Sequence, residues 1–330
     1  MSNTISNIEL SVGIGATVDI TPAANKAWEI NMIGSDQVFL VGVPNVEFGL
    51  KKTGPPALTA IMLIDPATDP GNRNRMHKFL VTHEVYPTVF NGAAGIANIA
   101  LIGKSVSWAN VLTDIVALAA PGAGDSAIID PGDGYSMAIY EFGASKFSVV
   151  DINPDIVVTA SDTTGDEALI LDPTNTWGHD KQLNIPVSHT AQLLVTNVNV
   201  AANNFAYSAE KKRNPVARSL DILTTDDLDV IPPGNEEWEI TCIAVELLVA
   251  AGIGIAPDQK PDVSVMLACN PVPGPVDLSN LMEAGSVPAV VESLMWDQPI
   301  AIRIDHTHFL RINNVNGANN MVSVLGWRVG

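Results

Sequence analysis

The chain has 330 residues, of which 47% are hydrophobic and 16% are charged, and its formal net charge is −19. This composition excludes a disordered tail and is typical of a folded protein with two or three ordinary domains, or one large one. A surface this acidic repels phosphate groups and anionic lipid headgroups, so we expect neither nucleic acid nor membrane as a partner.

The N-terminal stretch "MSNTISNIELSVGIG" lacks a basic segment followed by an apolar core, so no signal peptide is expected. The longest apolar stretch, residues 243–256, is too short to span a bilayer and contains Glu246. The longest basic run, residues 211–213, is interpreted as a solvated stretch between domains and not as a phosphate site. These features predict a soluble protein that is made in the cytoplasm.

Apolar and polar residues alternate with a period of two in several segments along the chain. Clear examples are residues 39–50, 148–160, 191–200 and 320–329. Pro and Gly, 22 and 25 in number, lie at turn-like intervals between such segments, and no segment shows a sustained helical stripe with caps. The pattern predicts an all-β fold of the antiparallel β-sandwich or jelly-roll type.

A Pro-containing turn followed by Trp-Glu-Ile occurs twice. "VDITPAANKAWEINMI" (18–33) matches "LDVIPPGNEEWEITCI" (228–243), because each shows apolar alternation, the turn, and then a strand that begins with Trp. A looser third copy, "AIIDPGDGYSMAIYEF" (127–142), has Tyr135 and Met137 where the others have Trp. We interpret each copy as a strand, a turn and a second strand that form a hairpin.

The downstream ends of the copies support the same register. Residues 83–103 align without gaps to residues 189–209, which align without gaps to residues 306–326. Equivalent positions in this alignment are His83, His189 and His306; Asn91, Asn197 and Asn314; and Gly103, Ala209 and Gly326. Because an internal repeat indicates tandem structural units, we predict three tandem β-sandwich domains. The predicted domains are residues 1–110, 111–215 and 216–330.

Several of these residues have structural explanations. Trp28 and Trp238 alternate with Glu along their strands and are expected to anchor the cores. The asparagines of "NVNGANN" (314–320) are expected to supply left-handed backbone and side-chain hydrogen bonds at a hairpin between the last two strands. Cys242 and Cys269 lie in apolar strand-like runs, either as buried thiols or as a disulfide.

The histidines, carboxylates and loops give no catalytic pattern. The six histidines are His77, His83, His179, His189, His306 and His308. Three of them occupy one repeated position, which favours a structural role, since a catalytic residue would not need three copies. His306 and His308 would share a strand face beside Asp305, but no third metal ligand stands at a suitable spacing.

Two acidic clusters, at residues 226–229 and 162–167, are interpreted as solvated loops in preference to Ca²⁺ sites, because no EF-hand spacing is present. The sequence also lacks a G-x-S-x-G elbow and a Gly-rich phosphate loop. We therefore expect no enzyme, no cofactor, and no catalytic, cofactor-binding or metal-binding residues. Partner contacts are expected on the predicted loops at residues 161–168 and 270–286.

The segments "IPPGNEEWEIT" (231–241) and 306–329 resemble small β-sandwich modules in virion surface proteins of tailed bacteriophages. That family includes head decoration (cement) proteins and head fibres or spikes. The internal repeat extends the resemblance over nearly the whole chain, and the middle copy departs from it at Tyr135 and Met137.

The resemblance implies a capsid decoration or cement protein that binds the outside of the major capsid protein lattice and stabilises the shell. It implies synthesis in the host cytoplasm, location on the capsid surface, and a homotrimer, because decoration proteins often sit at local threefold positions. Alternatively, the three repeats of a single chain mimic the symmetry of a local threefold position. The alternative function is a receptor- or glycan-binding spike or fibre, although the chain offers only six Trp and four Tyr as sugar platforms.

Overall fold

The computed structural model describes most of the chain. The described residues are 5–37, 46–54, 57–62, 74–122, 124–145, 156–161, 167–171, 184–223, 226–247, 263–269, 276–283, 293–296, 301–314 and 319–330. Their regular elements are β-strands and one 3-10 turn, Trp108–Asn110. The strands form three successive antiparallel sandwiches, which confirms the predicted all-β, tandem jelly-roll fold. No helix in these ranges is long and apolar enough to cross a membrane.

Sandwich 1 contains the first eight strands. They are β1 (Ile5–Val12), β2 (Thr17–Asp19), β3 (Ala27–Ser35), β4 (Val46–Lys52), β5 (Leu58–Met62), β6 (Asn74–Thr82), β7 (Val85–Asn91) and β8 (Ala97–Val106). One sheet has the order β1-β8-β3-β6 and the other the order β2-β7-β4-β5. Most consecutive strands lie in opposite sheets, which is the arrangement of a jelly roll.

Sandwich 2 repeats this order with the next eight strands. They are β9 (Asp114–Leu118), β10 (Ser126–Ile129), β11 (Ser136–Ala144), β12 (Ile156–Ser161), β13 (Glu167–Leu171), β14 (Ile185–Ser188), β15 (Leu193–Asn197) and β16 (Asn203–Lys211). The first sheet runs β9-β16-β11-β14 and the second runs β10-β15-β12-β13. Strand β5 pairs with the end of β11, so a sheet of sandwich 1 continues into a sheet of sandwich 2.

Sandwich 3 repeats the order again, with the sixth strand position divided between two short strands. Its strands are β17 (Pro215–Ile222), β18 (Asp227–Val230), β19 (Trp238–Leu247), β20 (Val263–Cys269), β21 (Val276–Glu283), β22 (Ser293–Trp296), β23 (Ile302–Ile304), β24 (His308–Asn314) and β25 (Asn320–Arg328). One sheet runs β17-β25-β19, with β22 and β23 both paired to β19, and the other runs β18-β24-β20-β21. The domain boundaries after residues 110 and 215 stay predictions.

Each sandwich buries apolar side chains from both of its sheets. In sandwich 1, Phe48 and Phe79 reach each other from opposite sheets, with ring centroids 5.4 Å apart. Trp238 is buried in the core of sandwich 3, as predicted, whereas Trp28 is half-buried at the edge of the core of sandwich 1. Met137 is buried at the equivalent position of sandwich 2, so the middle copy fills the site without a Trp. Each such side chain contributes roughly 1.5–3 kcal/mol by burial.

The corner asparagines, Asn91, Asn197 and Asn314, end the strand that precedes the last strand of each sandwich, and all three are buried. The Asn91 amide donates to the carbonyl oxygens of Val12 (2.8 Å) and Gly95 (2.9 Å). Its own oxygen accepts from the backbone N–H of Ala93 (3.0 Å). These bonds tie the end of the first strand to the turn before the last strand.

The other two corner asparagines donate to the equivalent place. The Asn197 amide donates to the carbonyl of Ala119 (2.6 Å), just after β9, and the Asn314 amide donates to that of Leu223 (3.0 Å), just after β17. The prediction of side-chain hydrogen bonds is confirmed at all three corners. Residues 315–318 of "NVNGANN" lie outside the described residues.

The predicted hairpins are wrong at both ends of the repeat. Strand β2 pairs with β7 and not with β3, and β18 pairs with β24 and not with β19, because the Pro turn carries the chain across the core from one sheet to the other. The last two strands of sandwich 3 form no hairpin either, since β24 pairs with β18 and β20 and not with β25, and in sandwich 2 β15 pairs with β10 and β12 and not with β16. The predicted loop at residues 270–286 contains strand β21, and residues 162–166 lie outside the described residues.

The small residue that the repeat places in each last strand has a steric cause. A bulge interrupts the third strand of each sandwich opposite Gly103, Ala209 and Gly326. A Cβ atom on Gly103 would lie 2.3 Å from the Glu29 carbonyl oxygen, and one on Gly326 would lie 2.3 Å from that of Glu239. The two glycines are therefore needed for close approach of backbone to backbone.

No disulfide joins Cys242 and Cys269, which decides between the two alternatives that the sequence left open. Cys242 lies in β19 and Cys269 in β20, and these strands belong to opposite sheets of sandwich 3. Cys242 is buried, while Cys269 is half-buried.

Candidate functional site

The most extensive non-core contacts in the chain are the joints between consecutive sandwiches. We call the side of a sheet that points away from its own core the outer face. Sandwich 1 covers the outer face of the β9-β16-β11 sheet, where Ile115 and Ala206 belong to the same buried cluster as the core of sandwich 1. The Asn204 amide on this face donates to the carbonyl of Thr59 in β5 (3.0 Å). Strand β5 therefore lies across the outer face of sandwich 2.

A polar network completes the joint between sandwiches 1 and 2. The backbone N–H of Leu80 in β6 donates to the hydroxyl of Ser208 (2.7 Å). The Lys78 ammonium donates to Glu210 (2.8 Å) and lies 3.8 Å from the centre of the Tyr140 ring, while the Tyr140 hydroxyl also donates to Glu210 (2.5 Å). Burial raises the pKa of Glu210, but the bonds from Lys78 and Tyr140 outweigh it and lower that pKa overall. The carboxylate therefore stays charged inside the joint.

The joint between sandwiches 2 and 3 uses the same face in a more apolar form. Cys242, Ala244 and Leu325 of sandwich 3 belong to the buried cluster that forms the core of sandwich 2. The Trp327 indole N–H donates to the side-chain oxygen of Asn184 (3.0 Å), and strands β13 and β14 of sandwich 2 pack against β19, β17 and β25. In both joints the fifth and sixth strands of one sandwich lie on the outer face of the next one.

The strand registers show that both joints use equivalent positions. Just beyond the bulge, the paired residues are Met32 with Ile102 in sandwich 1, Glu141 with Ser208 in sandwich 2, and Cys242 with Leu325 in sandwich 3. Two residues further on, the pairs are Gly34 with Ala100, Gly143 with Ala206, and Ala244 with Ser323. In sandwiches 2 and 3, all of these residues other than Gly143 have buried side chains.

Sandwich 1 has no preceding sandwich among the described residues, and of its equivalent positions Ile102 is exposed, Met32 and Ala100 are half-buried and Gly34 is buried. Ile102 is 36% exposed, whereas Ser208 and Leu325 at the same position are 0% and 1% exposed. A groove of about 610 Å³ runs over Gly34 and Ala100. Its walls come from residues 9–11, 34–36 and 98–100. We call this surface, centred on Met32, Gly34, Ala100 and Ile102, the open face.

A second concave surface, the Trp108 cleft, lies between sandwiches 1 and 2 and has a volume of about 680 Å³. The Trp108 side chain is 39% exposed, and Glu84 and Asp114 also line the cleft. Lys52 forms an ion pair with Asp114 at 2.5 Å. The cleft thus combines an accessible aromatic ring with charged groups of both signs.

The three repeated histidines occupy equivalent turns, and His189 confirms the predicted structural role. Its Nδ1 lies 2.8 Å from Asp130 and its Nε2 lies 2.9 Å from Asp133, so the ring connects its turn to the one between β10 and β11. The hydrogen bond and charge of Asp130 raise the pKa of His189, with a further contribution from Asp133. His83 lies 3.7 Å from Glu84, and His306 is exposed.

The candidate metal ligands are engaged otherwise or lie apart. Among the described residues, no three His, Cys, Asp or Glu side chains form a group that could hold a metal ion. Asp305 accepts hydrogen bonds from the Thr307 hydroxyl (2.7 Å) and the His308 backbone (2.7 Å), which lower its pKa to about 2. Asp229 accepts two hydrogen bonds from Arg311, at 2.8 and 3.0 Å. His179 and the side chain of His77 lie outside the described residues.

In the basic run at residues 211–213, Lys211 and Arg213 are exposed, as predicted, whereas Lys212 is half-buried. The Lys212 ammonium lies 4.3 Å from the centre of the Trp327 ring, at the joint between sandwiches 2 and 3. Burial lowers the pKa of Lys212. Lys211 lies 4.6 Å from the centre of the Tyr135 ring. Both lysines therefore pack against aromatic rings and do not form a phosphate site.

Sequence reasoning predicted the sandwiches but not the joints between them. The signal was present in the outward positions of copies 2 and 3, where Ala206, Ala244 and Leu325 stand in places that a solvated sheet would give to polar residues.

No family model matches this chain, and no curated protein matches it, so the resemblance to phage head proteins stays a prediction. Two solved structures with viral proteins are similar. One is from the atomic structure of Sulfolobus Turreted Icosahedral Virus, at 10% identity and TM-score 0.24, covering 99% of this chain and 90% of that chain. The other is from a structure of the triple jelly roll fold and turret assembly in an archaeal virus, at 9% identity and TM-score 0.24, covering 99% and 89%. At a TM-score of 0.24 neither similarity assigns a function to this chain.

Proposed function

We propose that the chain is a structural virion protein, a capsid decoration or cement protein that binds the outside of the major capsid protein lattice and stabilises the shell. The observation that carries the proposal is one jelly-roll strand order repeated in three sandwiches, with successive outer faces buried in joints. Jelly rolls of this kind occur in viral capsid and lectin domains. A protein built from such modules acts through its surfaces.

The physical basis of cementing is area buried across neighbouring capsid subunits. A specific interface buries on the order of 1,000 Å² or more, and many copies on one particle multiply a modest stabilisation per contact. The formal net charge of −19 keeps a chain with 47% hydrophobic residues soluble before it reaches the shell. In this proposal the protein is not an enzyme and uses no cofactor.

The proposal includes the organisation and location of the protein. The three domains are residues 1–110, 111–215 and 216–330, and the functional form on the capsid surface is a homotrimer. The protein is made in the host cytoplasm, and neither nucleic acid nor membrane is a partner. The sheet edges and outer faces, more than single reactive side chains, are the parts that contact the capsid.

Purified particles with and without this protein test the proposal. We expect particles that lack it to lose genome at a lower temperature and after a milder osmotic shock, because the contacts between neighbouring capsid subunits are fewer. Adding the purified protein back should restore both properties. Unchanged thermal and osmotic stability together with lost adsorption to cells would refute the cement role.

A second candidate, a receptor- or glycan-binding spike or fibre protein, is favoured by the Trp108 cleft. An exposed indole offers a flat apolar face for a sugar ring, and Glu84 and Asp114 provide acceptors for sugar hydroxyls. In a glycan array, Trp108→Ala should abolish binding, while Ile231→Ala, which shortens a similarly exposed apolar side chain in sandwich 3, should leave it unchanged. Lack of binding by the unaltered protein to any glycan would refute this candidate.

A further inference from the structure

We propose that the open face of sandwich 1 binds the fifth and sixth strands of sandwich 3 in a second copy of this chain. The contact would be head-to-tail, with the open face as the head and strands β21, β22 and β23 as the tail. The proposal does not rest on the role in the virion, because it concerns only how two copies of the chain meet.

The argument begins with the two joints inside the chain, which are two examples of one contact. Strands β5 and β6 lie on the outer face of sandwich 2, and strands β13 and β14 lie on the outer face of sandwich 3. A contact of this kind joins two different surfaces, so a series of three sandwiches leaves one head and one tail unmatched. Among the residues that the structure describes, the unmatched head is on sandwich 1 and the unmatched tail is on sandwich 3.

The unmatched head retains the geometry that the joints use. Gly34 and Ala100 form the floor of its groove, and the equivalent pairs in sandwiches 2 and 3 are also small residues. In sandwich 2 this place is crossed by β5, whose Thr59 accepts a hydrogen bond from Asn204. Small side chains let a strand approach the sheet closely, so Gly34 and Ala100 leave room for a strand on this face.

The apolar residues beside the groove lack a cover in sandwich 1. Met32 and Ile102 are paired at the position where the equivalent pairs of sandwiches 2 and 3 are buried by the preceding sandwich. The bulge residue Asn31 is exposed, whereas its equivalents take part in the joints: Tyr140 contacts Lys78, and Thr241 donates to the Asn184 carbonyl (2.5 Å). A second copy would bury this surface in the same way.

The unmatched tail presents the backbone of the edge strand β21, while β22 already contacts β13 of sandwich 2. Within the described strands, β21 pairs only with β20 and is therefore the edge of its sheet. Strands β22 and β23 are the outermost strands of the other sheet, at the position that β6 and β14 hold in the two joints. Edge strands of this kind are the usual sites at which sheets associate.

One difference separates the open face from the joint between sandwiches 1 and 2. Strand β6 pairs with β3 as far as Gly34, whereas the equivalent Gly143 of β11 pairs with β5. The second copy therefore cannot add a strand to the edge of β3 at Gly34. It binds across the face, as sandwich 2 does on sandwich 3.

Sedimentation velocity of the full-length protein over a range of concentrations tests the contact. We expect concentration-dependent association, and we expect Ile102→Arg or Asn31→Arg to weaken it about tenfold or more because the charge is placed at the centre of the contact. The matched control is Ile128→Arg, a residue 62% exposed on strand β10 of sandwich 2. Circular dichroism should show that all three variants keep the fold.

A mixing experiment separates this contact from a symmetric one. The Ile102→Arg variant keeps its tail, so it should bind the head of one unaltered chain and end the assembly there. An excess of the variant should therefore occupy every head of the unaltered protein and give a 1:1 complex that the variant alone does not form. A strictly monomeric unaltered protein, association unaffected by Ile102→Arg, or failure of the variant to bind the unaltered protein would each overturn the proposal.

Discussion

Replacing Asn91 with Ala should destabilise sandwich 1 by about 3–4 kcal/mol. Asn91 is fully buried and makes three hydrogen bonds, two as donor and one as acceptor. Each bond contributes about 1 kcal/mol net, and a buried carbonyl or N–H left without a partner adds a further desolvation penalty. Alanine cannot replace any of these bonds, and the cavity it leaves is too polar to collapse favourably.

The assay is equilibrium unfolding in guanidinium chloride followed by circular dichroism and tryptophan fluorescence. Because the chain has three sandwiches, unfolding in more than one transition is expected, and Asn91→Ala should shift the transition that reports on Trp28 and Trp108. Asn197→Ala should instead shift the transition of sandwich 2, since its amide bonds the Ala119 carbonyl at the equivalent corner. The corner bonds are thus tested independently in two sandwiches.

The control is Asn31→Ala, which removes an exposed Asn on a strand of the same sandwich. Its effect should lie within about 0.5 kcal/mol of zero. Equal effects of Asn91→Ala and Asn31→Ala would refute the reasoning, because the corner bonds would then carry no more stability than a surface side chain. A loss confined to the slope of the transition, with an unchanged midpoint, would refute it as well.

Two further predictions concern the bulge and the histidine turn. Gly326→Ala should destabilise sandwich 3 by roughly 1–3 kcal/mol, because its Cβ would lie 2.3 Å from the Glu239 carbonyl oxygen. The control is Gly234→Ala, which has no neighbour within 4 Å and should have little effect on thermal unfolding. Equal shifts of the melting temperature in the two variants would contradict the steric argument. His189 has a raised pKa in the folded protein, so its stabilising contribution is fully present below the unfolded pKa of about 6.5 and is lost as pH rises through the folded pKa. The melting temperature of His189→Gln should therefore fall below that of the unaltered protein by more at about pH 5.5 than at about pH 9, and a pH-independent difference would exclude the ion pairs as its cause.

The sequence was sufficient to predict the strands and the repeat, but it did not predict how the strands pair. Period-two alternation and Pro or Gly turns are local signals, and they predicted sandwiches correctly. Pairing is a long-range property: β2 joins β7 across more than half of its sandwich, and the Pro turn between β2 and β3 carries no mark that distinguishes a hairpin from a crossing. The corner asparagines were found because their chemistry is local, whereas the sheets that they join were not.

The joints were harder to predict for a different reason. An outward-facing apolar residue such as Ala244 looks like a core residue when its strand is considered alone, because the bulge at Thr241 shifts the alternation that Trp238 and Ile240 begin. A one-residue bulge exchanges the inward and outward sets of a strand, and no local pattern locates it. The contact of Lys212 with Trp327 was missed because the ring belongs to a strand more than a hundred residues away.

The chemistry of the two internal joints bears on how strongly copies of the chain should associate. One joint is polar, built on Ser208 and Glu210, and the other is apolar, built on Leu325 and Trp327, yet both bury the same positions. The two joints therefore share the strand positions that are buried, while the side chains at those positions differ in polarity. A joint within one chain forms at high effective concentration and need not be strong, whereas a contact between copies must also offset the loss of translational and rotational freedom. Because the open face surrounds Ile102 with polar residues, the contact between copies should be reversible and concentration-dependent, and a surface that already concentrates many copies would favour it.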